Sequence, residues 1–65
     1  MKKEIFLKHL KSNGCYCVRQ SKGSHAFYRN AQTGASSVVP MHNDIKDLLA
    51  RKICKDLGIP YCGNN

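Results

Sequence analysis

The sequence predicts one α+β domain in the order α-β-β-β-α, a three-stranded antiparallel sheet with two helices on one face. Three observations lead there. Apolar residues recur with helical spacing near each end of the chain. Between them lie three short runs with aromatic and β-branched character, separated by glycine-containing turns. A chain of 65 residues admits one domain, and a lone three-stranded sheet must hide its apolar side under the helices.

The first helix is predicted over 2–13, with Phe6, Leu7 and Leu10 on one face and Lys8, Lys11 and Ser12 elsewhere. Asn13-Gly14 stops it, because glycine accepts the left-handed conformation that closes a helix. His9 falls beside the apolar stripe as a boundary residue. Cys15–Gln20 reads as the first strand and 21–23 as a turn. The second strand is expected over 24–30, followed by a connection ending at Gly34 and a third strand over 35–39. Pro40 ends that strand by removing a donor. The second helix is expected over 44–57, with Asp44 and Asp47 placed like a capping box. Leu49, Ile53 and Leu57 form its apolar stripe, widened by Leu48, Ala50 and Cys54, and Gly58 caps it. The domain is expected to cover 1–59, leaving a loose tail over 60–65.

Charge narrows the partner. The net charge is +7, and residues 1–29 carry seven cations against Glu4 alone. Residues 30–65 are nearly balanced. Such asymmetry favours a phosphate-rich partner, because each neutralised phosphate releases condensed counterions. Met1-Lys2-Lys3 is followed by Glu4 and a three-residue apolar run, too short for the core of a secretory signal. No apolar stretch approaches the ~20 residues that span a bilayer. A cytoplasmic protein with no membrane association is the expectation.

The four cysteines are Cys15, Cys17, Cys54 and Cys62. Their spacing has no C-x-x-C and no paired histidines, so they are read as small buried hydrophobes and not as metal ligands. A chain this short leaves no room for a deep cofactor cleft. Neither metal nor organic cofactor is expected.

The second strand carries the chemistry. Side chains alternate across a strand, so His25, Phe27 and Arg29 share one face, while Ser24, Ala26 and Tyr28 share the other. Burying Arg29 without a partner would be costly, which assigns Ala26 and Tyr28 to the core. His25, Phe27 and Arg29 are then left in a row on the open face. Histidine, with an ordinary pKa of about 6.5, takes and gives a proton near neutral pH. Gly23-Ser24 ahead of it supplies a tight turn and a hydroxyl donor. An exposed Phe27 can stack on a base while Arg29 holds phosphate.

Taken with their order, these segments resemble the HicA family of toxin–antitoxin ribonucleases. The carriers are Ser12-Asn13-Gly14, Arg19-Gln20, Lys22-Gly23-Ser24-His25 and Val38-Val39-Pro40-Met41-His42-Asn43. Asp44-Ile45-Lys46 and the run from Arg51 to Ile59 complete them, so the resemblance spans 2–59. Many members open the second helix with Gly-Thr where this chain has Leu48-Leu49, read here as a variant helix start. The resemblance implies a double-stranded-RNA-binding-domain-like fold, mRNA cleavage that blocks translation, and a HicB-like antitoxin partner that masks the toxin. It also implies that His25, the histidine of the G-S-H motif, is catalytic.

RNA carries its own nucleophile, the 2′-hydroxyl, so the protein must supply neither nucleophile nor metal. The expected mechanism has neutral His25 as general base. Lys22 and Arg29 offset the growing phosphate charge, and Ser24 donates a hydrogen bond to it. The product is a 2′,3′-cyclic phosphate. His42 is a second candidate acid, although P-x-H-N also fits loop chemistry. Two other classes remain open at this level: a non-catalytic RNA-binding module, and an interaction adaptor using Tyr16, Val18 and Phe27.

Overall fold

The computed structural model describes residues 1–21 and 23–61. The elements are α1 (Lys3–Ser12), β1 (Cys15–Gln20), β2 (His25–Asn30), β3 (Ser36–Pro40) and α2 (Asp47–Leu57). The sheet order is β1-β2-β3, both pairs antiparallel, so β2 is the central strand. The α-β-β-β-α order is the one the sequence predicts.

Both helices cover one face. Phe6 and Leu10 of α1 and Ala50, Ile53, Cys54 and Leu57 of α2 close on Cys15, Val39 and Ile45 in one core. α1 lies against β1 and α2 against β3. The domain is correspondingly flat, 16 Å through its thinnest direction. Each of the larger core side chains contributes about 1.5–3 kcal/mol by leaving water. Among the described residues, no helix is long and apolar enough to cross a membrane.

The helix ends follow local chemistry. α1 ends where the Asn13 N–H donates to the carbonyls of His9 and Leu10, and Gly14 takes φ +80° to reverse the chain. α2 ends with Gly58 in the left-handed region at φ +73°. There the Ile59 N–H reaches back to the Cys54 carbonyl and the Gly58 N–H to Lys55, satisfying carbonyls the helix leaves over.

The start of α2 departs from expectation by three residues, and the capping box does not form. Residues 43–45 pair with the N-terminal segment instead. Lys3 N–H donates to the Asn43 carbonyl, Ile45 N–H to the Met1 carbonyl, and Lys2 bridges Asp44. The Asp44 carboxylate takes the N-terminal ammonium at 3.2 Å. Lys46 then becomes the N-cap, without a side-chain cap. With Ile45 buried ahead of the helix, the core face of α2 is Ala50, Ile53, Cys54 and Leu57. Leu49, expected in that stripe, is exposed, and Leu48 is 81% exposed.

One polar residue is built into the core side. Asn30, 2% exposed, ends β2 and is fully used. Its backbone N–H donates to Ala35 and its carbonyl accepts from Gly34, closing the β2–β3 turn. Its side-chain Oδ1 accepts from the Gln32 N–H at 2.9 Å. Its Nδ2 donates to the Leu57 carbonyl at 2.8 Å, which pins the last turn of α2 to the sheet.

Two cysteines behave as expected and one does not. Cys15 and Cys54 are buried; Cys17 is exposed. Cys17 shares the helix side with its cross-strand partner Tyr28, but it lines an open groove between α1 and β1. Burial pushes the Cys15 thiol up from its ordinary pKa. Cys62 lies outside the described residues. Of the tail expected over 60–65, residues 62–65 also lie outside them. The Pro60 carbonyl accepts from His9 Nε2 at 2.6 Å, so that ring nitrogen carries the proton. Arg51 sits 4.8 Å from the Tyr61 ring centroid, a cation–π contact.

Two outcomes follow from this packing. Asn30→Ala leaves the Leu57 carbonyl and the Gln32 N–H without their partner, and is expected to cost about 2–3 kcal/mol, read as a lowered urea midpoint. In the native protein, iodoacetamide should label Cys17 well before Cys15 or Cys54, since thiolate and access are both needed. Peptide mass mapping over time reads the order.

Candidate RNA-facing site

The uncovered face of the sheet is organised in rows across the strands. Residues directly paired in a sheet point to the same side, with Cβ atoms about 4.5–5.5 Å apart. Tyr16, Arg29 and Ser36 form one row. Arg19, Phe27 and Val38 form the next, and His25 with Pro40 forms the last. Opposite them, Ala26 and Asn30 are buried and Tyr28 packs against the core. The assignment of His25, Phe27 and Arg29 to the open face therefore holds. Val38 at 51% and Tyr16 at 46% exposure show how little covers it.

Arg19 is the residue that sequence alternation missed. Counting by twos from the buried Cys15 places Cys17 and Arg19 on the helix side. The register shifts between Cys17 and Arg19, leaving Val18 as an extra residue in β1. This bulge flips the alternation and delivers Arg19 to the open face, opposite Phe27. A bulge in an edge strand has no sequence signal here.

His25 stands at the head of β2. The turn before it is closed by Ser21, whose N–H and Oγ both donate to the His25 carbonyl at 3.1 Å. Gly23 takes φ +89°, a conformation that L side chains rarely adopt. The Ser24 carbonyl accepts from the Met41 N–H, tying the turn to the end of β3. The backbone of His25 is thus held on both sides while its ring is exposed. Among the described residues its ring has no hydrogen-bond partner.

A shallow hollow of about 100 Å³ lies here, lined by Arg19, Ser21, His25, Ala26, Phe27 and Val38. It brings together His25 and Phe27 with the unforeseen Arg19. Arg29 lies four residues along the strand from His25, roughly 13 Å at about 3.3 Å per residue. Lys22 lies outside the described residues. Ser24 is half-buried and does not line the hollow; it is paired through its carbonyl with Met41, on the side of the sheet that Ala26 and Tyr28 share. Among the described residues, no three metal-ligating side chains come together.

A larger groove, about 670 Å³, opens between α1 and β1. Leu7, Cys17 and Tyr28 are among its walls, with Lys8 and Lys11 at its rim. Burial pushes the Tyr28 phenol up from its ordinary pKa, and the neighbouring Cys17 adds to this. The groove holds no histidine.

The comparison with protein families returns one match. A family model described as the HicA toxin of bacterial toxin–antitoxin systems matches residues 4–59. No curated protein and no solved structure matches the chain. The match runs from the first turn of α1 to the residue after the Gly58 cap, taking in the whole sheet and all three histidines. The chain belongs to the HicA toxin family of bacterial toxin–antitoxin systems.

Proposed function

We propose that this toxin is an endoribonuclease that cleaves mRNA and so blocks translation in the cytoplasm, with His25 as its catalytic base. The observation that carries this is an exposed imidazole at the head of the central strand, beside an arginine and an aromatic ring on a face no helix covers. Toxin–antitoxin membership implies a partner antitoxin. A HicB-like protein that masks the open face is the proposed partner.

The chemistry needs three things. A 2′-hydroxyl must lose its proton, attack the adjacent phosphorus in line, and do so while negative charge builds on the phosphate oxygens. His25 removes the proton, worth about 10²–10⁴-fold in rate. Arg19, in the same hollow, faces the phosphate under attack, and Lys22 and the Ser24 hydroxyl, close to His25 in the sequence, are the further donors of the proposal. Phe27 stacks on a neighbouring base, and Arg29 takes a phosphate further along the strand. The nucleophile belongs to the substrate, so the cleavage is proposed to run without a metal.

A non-catalytic RNA-binding module would use the same arginines and aromatic ring but would not depend on the imidazole. Incubation with a long RNA in EDTA separates the two. Parent protein should cleave, and folded His25→Ala should lose about 10²–10⁴-fold in rate while still binding. Full cleavage by His25→Ala would sink the reading; binding by the parent without cleavage would favour the module. Arg19→Ala should weaken RNA binding and flatten the plot of log affinity against log salt by about 0.7 for the one lost phosphate contact. Fluorescence anisotropy across a salt series reads both.

A further inference from the structure

We propose that His42 is the general acid of this cleavage, giving its proton to the departing 5′-oxygen on the far side of the scissile phosphate from His25. The proposal rests on the ribonuclease reading above. It adds the group that the reading lacks, because a base alone leaves the 5′-oxygen without a proton.

The placement comes from the backbone. His25 pairs with Pro40, the last residue of β3. The ladder runs one step further, since the Met41 N–H donates to the Ser24 carbonyl. Alternation past Pro40 sends Met41 toward the helices, and Met41 does pack against the core. The next residue, His42, then falls on the side of Pro40 and His25, and it is exposed. In such a ladder the diagonal neighbours two positions apart stand about 7–8 Å from each other. That separation leaves room for one phosphate between two imidazoles.

The segment is held at both ends. Met41 is bonded to Ser24, and the Asn43 carbonyl accepts from the Lys3 N–H at 3.0 Å. Ile45, just beyond, is buried in the core. His42 therefore sits on a stretch anchored to the β1–β2 turn on one side and to the start of α1 on the other. His42 takes no part in starting α2, which begins at Asp47 with Lys46 as its cap.

The step balances with these groups. The 2′-hydroxyl proton passes to neutral His25 as the O2′–P bond forms. The P–O5′ bond breaks, and the 5′-oxygen takes a proton from the His42 imidazolium. The products are a 2′,3′-cyclic phosphate and a 5′-hydroxyl. His25 is left protonated and His42 neutral, and exchange with water restores both. Histidine populates both forms near neutral pH, so each role is open to it.

The test uses a leaving group that needs no proton. Two oligoribonucleotides of one sequence are compared, one ordinary and one with sulfur replacing the 5′-bridging oxygen at the cleavage site. His42→Gln should cleave the ordinary RNA about 10²–10⁴-fold more slowly than the parent. On the sulfur-bridged RNA it should approach the parent rate. His25→Ala should be slow on both, since its step is unchanged by the leaving group. Circular dichroism and RNA affinity confirm that each variant folds and binds. A folded His42→Gln that matches the parent on ordinary RNA overturns the proposal. So does an equal loss on both substrates, which would mean a structural or binding role. Cleavage by His25→Ala at the parent rate instead removes the ribonuclease reading beneath it.

Discussion

The alternation of side chains along β2 is the constraint from which the rest follows. The strand is central, so both its edges are paired and its register cannot slip without moving three strands together. One set of residues, Ala26, Tyr28 and Asn30, meets the helices. The other set, His25, Phe27 and Arg29, lies on the face that neither helix covers, with His25 and Arg29 exposed and Phe27 half-buried. Two helices suffice to bury one face of a sheet this small, and among the described residues no helix lies over the second.

Asn30 and His25 mark the two ends of that strand and do opposite things. Asn30 is buried and uses its side chain to lock the β2–β3 turn and the end of α2 in place. His25 has its backbone fixed by Ser21 but leaves its ring in solvent. A rigid scaffold holding an exposed reactive group is what proton-transfer chemistry on a polymer backbone requires, since the substrate supplies its own flexibility. Of the cations in residues 1–29, Arg19 and Arg29 stand on this face, while Lys2, Lys3, Lys8 and Lys11 belong to the α1 segment on the covered side.

Much of this was legible in the sequence, for physical reasons. Glycine and asparagine marked the end of α1, and Gly58 marked the end of α2, because left-handed backbone is rare for other residues. The face of β2 was readable because burying Arg29 would have been so unfavourable. What could not be read was long-range. The bulge at Val18 depends on how β1 meets β2, and it alone puts Arg19 beside Phe27. The late start of α2 depends on residues 43–45 pairing with the N-terminal segment, more than forty positions away. That pairing moved Leu49 out of the core face. Cys17 was read as buried because strand period gives direction but not coverage. His42 lies just past the end of β3, outside any helix or strand, as its loop-like sequence suggests, and the residue before it is bonded to the turn that carries His25.

The central claim is that RNA is held on the uncovered sheet face across the head of β2. The most direct measurement is an NMR titration of the protein with an RNA whose 2′-hydroxyls are methylated, which binds without being cut. The account predicts that amide shifts concentrate at Arg19, Ser24, His25, Phe27 and Val38 and fade with added salt. Shifts confined to the exposed faces of α1 and α2, with the sheet face silent, would contradict it.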